Sequence, residues 1–160
     1  MFREMRRIRQ QLPMDKTEAI FRTATSGVLA LHGDDGYPYA VPLSYVYEDG
    51  HFYFHGATEG HKIDAIRRCE KASFCVVAAD DVVGQELTTH YVSAMAFGRV
   101  RIVEDAQEKR AAVTALARRY APAHVEKGLR EMEESWNRLC IFVLEAEHMT
   151  GKQCRELMGK

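Results

Sequence analysis

Bulky and small side chains alternate over residues 37–47, with Tyr37, Tyr39, Val41, Leu43, Tyr45 and Tyr47 set between Pro38, Ala40, Pro42, Ser44 and Val46. A period of two predicts a strand with one bulky face. Pro42 has no amide hydrogen and so belongs on an edge or at a bulge. Upstream, the short apolar run 28–32 predicts a strand closed by the turn residues Gly33-Asp34-Asp35-Gly36. Downstream, Glu48-Asp49-Gly50 predicts a hairpin turn into a strand over 51–55. Further strands are expected over 72–79, 88–103 and 139–146, with a loop over 80–87 and a polar tail over 149–160. Gly98, inside the longest run, predicts a bend or bulge that lets a sheet curl.

Helical spacing takes over in four places. Asp15 predicts a helix cap, with Glu18 at the capping-box position and Met14 against Ala19 as a staple; that helix runs to about residue 25 and stops at Gly27. A second helix is expected over 59–69. Asp105 and Glu108 repeat the capping pattern ahead of the stripe Val113, Leu116, Ala117 and Tyr120, which Pro122 interrupts. A fourth helix is expected over 123–135. Many strands joined by tight turns, with helices inserted, favour an antiparallel barrel of mainly β, mixed α+β class over a βαβ array.

Composition adds bounds. With 160 residues, 46% of them hydrophobic, one domain spanning 1–160 is expected. A formal net charge of −1 argues against bulk attraction to nucleic acid or an anionic membrane. No stretch approaches the roughly 20 apolar residues that cross a bilayer. The start, with Arg3, Arg6, Arg7 and Arg9 and no apolar run, is not a secretory leader, so the cytoplasm is the expected compartment. Cys69, Cys75, Cys140 and Cys154 form no Cys-x-x-Cys pair and read as reduced thiols.

Candidate chemistry gathers at Gly56-Ala57-Thr58-Glu59-Gly60-His61-Lys62, where a strand gives way to a helix. Such a turn presents free amides and the positive end of a helix dipole, which suit a phosphate. Thr58 can donate its hydroxyl, Gly60 lets backbone approach closely, and His61 and Lys62 add donors and positive charge. Taken alone, the turn reads more simply as a surface helix capped by Thr58, with Glu59 answering the dipole. His55, likewise alone, reads as a packed or half-exposed strand residue. His51 and His55 share one side of a strand, but no carboxylate or cysteine stands at metal-site spacing, and no metal is expected. Trp136 packs on a ring system or closes the barrel. Nucleotide-binding glycine motifs and a G-x-S-x-G elbow are absent from the sequence.

The segments together say more than each alone. In chain order stand Gly36-Tyr37-Pro38-Tyr39-Ala40-Val41-Pro42-Leu43-Ser44-Tyr45, then Phe52-Tyr53-Phe54-His55-Gly56-Ala57 and Glu59-Gly60-His61-Lys62. Tyr91-Val92-Ser93-Ala94-Met95 with Phe97-Gly98 follow, and Thr150-Gly151-Lys152 near the end. This order resembles the nitroimidazole-resistance (Nim-type) branch of the pyridoxamine 5'-phosphate oxidase-like flavoproteins, over roughly residues 5–156. The resemblance implies a split β-barrel that forms a homodimer with FMN in the clefts between subunits. It implies that Pro42, Leu43, Ser44 and Tyr45 face the isoalloxazine, that His55, Gly56, Ala57, Thr58, Gly60, His61 and Lys62 hold the phosphate end, and that Tyr91 and Ser93 lie on a later flavin-side strand. In similar proteins this stretch reads tyrosine-arginine-serine, so Val92 removes a positive charge there. His55 is the candidate catalytic residue, relaying a proton or orienting a substrate. The activity implied is an FMN-dependent oxidoreductase acting on small electron-poor compounds such as nitroimidazoles. FMN itself carries the two-electron transfer, so the protein needs no acid, base or nucleophile of its own. The alternatives are a non-catalytic flavin-binding or stress-response protein and a heme- or metal-binding barrel of the same type.

Overall fold

The alternating run holds as one strand only to Ser44. In β3 (Pro38–Ser44) the odd residues are half-buried and the even ones exposed, and its one partner is β2 (Ser26–His32), which leaves Pro42 on an edge strand as expected. At Tyr45 the chain turns, and β4 (Val46–Glu48) pairs instead with β5 (His51–Ala57). The predicted single strand over 37–47 is therefore two. Asp49 and Gly50 make the hairpin turn with φ of 44° and 86°, the backbone that matches a twisted two-residue hairpin. The remaining strands are β1 (Gln11–Leu12), β6 (Lys71–Val83), β7 (Thr88–Ile102) and β8 (Leu139–Gln153); the helices are α1 (Met14–Thr23), α2 (His61–Arg68), α3 (Ala106–Tyr120) and α4 (Val125–Glu134). This computed structural model describes residues 1–158; Gly159 and Lys160, the end of the expected polar tail, lie outside the described residues.

Every strand pairing is antiparallel, in the order β3-β2-β6-β7-β8-β5-β4, with β1 added to β8. β3 and β4 stand at opposite ends of that order, yet Tyr45 alone joins them. Two Cα–Cα steps bring the edges within about 7 Å. The sheet is thus closed at one corner into a barrel, and it is split where the edges part again.

The corner is tied by hydrogen bonds that no local sequence rule foretells. Tyr45 is fully buried, and its hydroxyl donates to the Phe21 carbonyl at 2.8 Å. Its amide donates to the Tyr120 hydroxyl at 3.0 Å, and that hydroxyl lies 2.6 Å from the Tyr45 carbonyl and 2.7 Å from that of Thr25. Tyr120, expected in a buried stripe, is instead a half-exposed tie at the end of α3. Phe21, Phe52, Phe54, Phe74 and Phe142 are likewise wholly buried around Tyr45, each side chain contributing roughly 1.5–3 kcal/mol by removal from water. Phe74 meets the Tyr45 ring edge-on at 4.8 Å and 74°. A second core packs Val113 and Leu116 of α3 on Val46, Ile141 and Val143.

Other boundaries move for physical reasons. Pro13 takes the cap position of α1, two residues ahead of Asp15, which makes no capping bond. Glu18 does not close a capping box, because it meets Arg22 at 2.9 Å and the Tyr47 hydroxyl at 3.2 Å. Gly27 lies in β2 rather than ending the helix. β6 and β8 run past the expected ends at 79 and 146, because β7 offers both a partner along nearly its whole length. Pairing satisfies backbone groups whatever the local polarity. Asp105 does cap α3, its carboxylate accepting from the Glu108 amide at 2.7 Å. The register slips between Phe97 and Gly98 as expected, and a Cβ at Gly98 would overlap the Glu145 carbonyl. Among the described residues no helix is long and apolar enough to cross a membrane.

Tyr120→Phe leaves the buried Tyr45 amide without its acceptor, and should lower the unfolding free energy by about 1–3 kcal/mol. Urea denaturation with an unchanged midpoint would show that the corner does not depend on this hydroxyl.

Candidate functional site

Each β4–β5 pair keeps one register, Val46 with Tyr53 and Glu48 with His51. Continued past the corner, that register would set Ser44 opposite His55 and Pro42 opposite Ala57. The chain leaves at Tyr45 instead, so β3 pairs only with β2, and residues 54–57 of β5 pair only with β8. Two backbone edges therefore face each other across a wedge with their ladder groups open. Such an edge finds hydrogen-bond partners in water or in a planar ligand with a polar rim. The β3 edge carries Pro42, Leu43 and Ser44, and the β5 edge carries His55, Gly56 and Ala57. Ser44 and Pro42 present exposed, small faces, while Leu43 turns into the core. Tyr45 is wholly buried at the corner and supplies no surface, only the hinge of the wedge.

At the far end of β5 lies the turn. Gly60, not Thr58, caps α2: its φ of 112° is in the left-handed region that favours glycine, and no side chain makes a capping bond. The first amides of α2 are left free by helix geometry. Thr58, Glu59 and Gly60 are exposed. The half-buried Lys62 turns back over β5, with Nζ 5.3 Å from the centre of the Phe142 ring and 3.4 Å from where a Cβ on Gly56 would stand. It makes no ion pair among the described residues. Burial lowers its pKa. An ammonium held under desolvation without an acid can receive an anion.

His61 is placed differently from the expectation of a free donor. Its ring stacks on Tyr39 at 4.1 Å and 17°, and Nε2 lies 3.5 Å from Asp34. Asp34 also accepts from Arg68 at 2.7 Å, and that bond holds its carboxyl below the usual range. His61, Asp34 and Arg68 thus clamp α2 to the β2–β3 turn. Nothing local in the sequence pairs Asp34 with residues so far along the chain.

His55 has an exposed edge, and strand alternation sets it on the side of Tyr53 and Ile141, toward α3, opposite Gly56. Burial, and then the nearby Lys62 charge, lower its pKa. It is neutral near pH 7 and able to donate or accept one hydrogen bond. Two other histidines are engaged elsewhere, His51 with the Asp49 carbonyl at 3.1 Å and His90 with Glu86 at 2.9 Å.

Tyr91 and Ser93 are not at the wedge of their own chain. Ser44 pairs with Ser26, Val28 with Cys75, and Val77 with Ser93, so β7 lies three strands from β3, roughly 14 Å at ordinary strand spacing. They share the outer face of the sheet with Val28, Val77 and Met95, which are 40%, 62% and 37% exposed. Val92 turns inward against the core. A cavity of about 170 Å³ adjoins the turn, lined by Thr58, Arg67, Lys109 and Cys140 among others. A larger groove of about 850 Å³ runs along α3 beside Arg110 and Arg118, away from the wedge. The Trp136 ring receives Lys109 at 4.3 Å and Arg110 at 5.2 Å.

The wedge, the open edges and the anion receptor fit a flavin phosphate, and known proteins carry the same architecture. A proposed 5-nitroimidazole antibiotic resistance protein from Bacteroides thetaiotaomicron is 25% identical, with 89% of this chain and 86% of that one covered and a TM-score of 0.73. The conserved hypothetical protein Rv2991 from Mycobacterium tuberculosis is 18% identical over 96% and 92%, with a TM-score of 0.81. An FAD- and heme-binding protein from Mycobacterium smegmatis is 22% identical over 91% and 74%, with a TM-score of 0.74. No curated protein sequence matches the chain. Residues 13–153 match the family described as pyridoxamine 5'-phosphate oxidase, and the chain belongs to that family.

Proposed function

We propose that this protein is an FMN-dependent reductase of small electron-poor compounds, nitroimidazoles among them, acting as a homodimer with a flavin in each wedge. The observation that carries this reading is the unpaired, half-buried Lys62 ammonium beside the free amides of α2, at the end of an open backbone cleft. Flavin belongs to the family, and the likeness to the Bacteroides protein supports the choice of nitroimidazoles. The bound flavin supplies two-electron transfer between a donor and the substrate.

The chain's own residues hold, orient and shield. Lys62 and the α2 amides neutralise the phosphate, and the Thr58 hydroxyl adds a donor. Backbone edges at residues 42–44 and 55–57 would offer hydrogen-bond partners to the polar rim of the ring, beside the small exposed side chains of Ala40, Pro42 and Ser44. Neutral His55 at the rim orients the substrate or passes it a proton. A second copy laid on the apolar outer face would cover Val28, Val77 and Met95 and bring its Tyr91 and Ser93 to the ring. One observation favours FAD instead: the cavity beside Thr58 carries Arg67, where a second phosphate would fit.

The protein as purified should show flavin absorbance, and chromatography of the released cofactor should give FMN rather than FAD. A preparation that neither carries nor takes up flavin sinks the reading. Anaerobic reduction with a nicotinamide donor, then a nitroaromatic acceptor, should give turnover; binding without turnover favours the non-catalytic alternative.

Lys62→Met should weaken FMN binding roughly 10–100-fold, the worth of a charge-assisted hydrogen bond, with riboflavin affinity nearly unchanged. Because Lys62 is desolvated without a partner, the same change should leave apoprotein stability equal or higher. Equal losses for FMN and riboflavin, by fluorescence titration, would remove Lys62 from the phosphate site.

Folding lowers the His55 pKa from 6.5, so the unfolded chain binds that proton more tightly. The stability contributed is full above about pH 6.5 and is lost as pH falls below it. His55→Gln should therefore lessen the drop in urea midpoint between about pH 7 and 5. An unchanged drop would show that His55 is not desolvated.

A further inference from the structure

The cavity of about 170 Å³ beside Thr58 lies between the end of α2 and the start of α3. Thr58, Arg67, Lys109 and Cys140 bring polar groups to it, and the rest of its lining is aliphatic. No Asp or Glu lines it among the described residues. At ~30 Å³ per water molecule the space holds roughly five waters, the bulk of one partly hydrated oxyanion. Lys62 has no part in this lining, since its ammonium sits over the Phe142 ring.

Neither lining cation is fully answered by an acid. Lys109 is half-buried, and its ammonium donates to the carbonyls of Trp136 at 2.8 Å and Leu139 at 2.6 Å, over the Trp136 ring at 4.3 Å. Those partners are neutral. An ammonium has three donors, so one N–H is left without a hydrogen-bond acceptor among the described residues. Arg67 reaches Asp64 only at 3.9 Å, with both side chains more than half exposed, a pair worth little. Cys140 feels the resulting field. Burial raises the pKa of its thiol, and the positive charges of Lys109, Arg67 and Lys62 oppose that rise. Aliphatic walls limit screening and so strengthen the attraction for an anion.

We propose that Arg67, Lys109 and the Thr58 hydroxyl form a second anion site, separate from Lys62, which takes one phosphate group of a nucleotide. The donor set suits that group. A guanidinium and an ammonium supply charge-assisted hydrogen bonds, the hydroxyl supplies a neutral one, and the oxygens of a phosphate meet donors from several directions. The site goes beyond the flavin reading and does not depend on it. Its phosphate comes either from the tail of a flavin dinucleotide or from a separate nucleotide, and the chemistry of recognition is the same for both.

The probe is inorganic phosphate, titrated by calorimetry into full-length Lys62→Met protein so that the first anion position is silent. One saturable site should remain. Arg67→Met in that background should weaken it roughly tenfold or more, and Arg67→Lys should restore part of the affinity. A second readout needs no substitution. Iodoacetamide alkylates Cys140 through its thiolate, and phosphate in the cavity both fills the space and offsets the cations. Saturating phosphate should therefore slow alkylation at Cys140 while Cys69 and Cys75, which do not line the cavity, react as before. Lys62→Met protein that binds no phosphate, or Cys140 alkylation unmoved by saturating phosphate, overturns the proposal. Two arms then identify the source. Arg67-dependent binding of ADP to FMN-loaded protein supports a separate nucleotide, and an Arg67-dependent preference for FAD over FMN supports the flavin's own tail. Indifference of both to Arg67→Met overturns the assignment to a nucleotide. Protein that takes phosphate at this site but no flavin overturns the proposed function alone.

Discussion

The structure depends on the chain's turn at Tyr45. One buried residue joins the two ends of a seven-strand path, and its amide and carbonyl leave the ladder to meet a single hydroxyl on Tyr120. A buried backbone amide without an acceptor costs about 1–3 kcal/mol, so β3 can leave β4's path only because α3 delivers that hydroxyl. Arg119, beside it, donates to the carbonyls of Arg22 and Ala24 and ties the same helix end to the segment after α1. Closure and opening are one event here: the corner that completes the barrel is the corner from which the wedge opens.

That wedge explains why a site can exist without a cluster of catalytic side chains. Open backbone edges and a desolvated ammonium are liabilities in a lone chain, the first to unwanted pairing and the second to burial. Both become assets when a planar, phosphorylated ligand occupies the cleft. Family membership makes flavin the cofactor class that answers this arrangement, and on the proposed reading the local cost at Lys62 is the counterpart of affinity for its phosphate.

Much of this was legible in the residues. Alternation in β3, the edge position of Pro42, the Asp49-Gly50 hairpin, the bulge at Gly98 and the cap at Asp105 all rest on local backbone chemistry, and the structure has them. The misread boundaries share a different origin. Asp15 lost its capping role because Pro13 sets the frame two residues earlier. β6 and β8 outran their apolar patterns because β7 pairs with polar residues as readily as with apolar ones.

The same division runs through the site. The passage from strand to helix at residues 56–62 was legible, because small residues followed by helical spacing are a local signature. The direction of each side chain was not local: Lys62 turns over Phe142, while His61 turns away to Tyr39 and Asp34. By itself, then, the sequence determined the antiparallel strands, their turns and the strand-to-helix turn at residues 56–62, since these follow from spacing and backbone preference within a few residues. Tertiary structure alone decided that Tyr45 is a corner, that residues 54–57 of β5 pair on one side only, and that Tyr91 and Ser93 lie three strands from β3. Register and closure are set by pairing between residues distant in the chain, and no local pattern encodes which distant residue arrives.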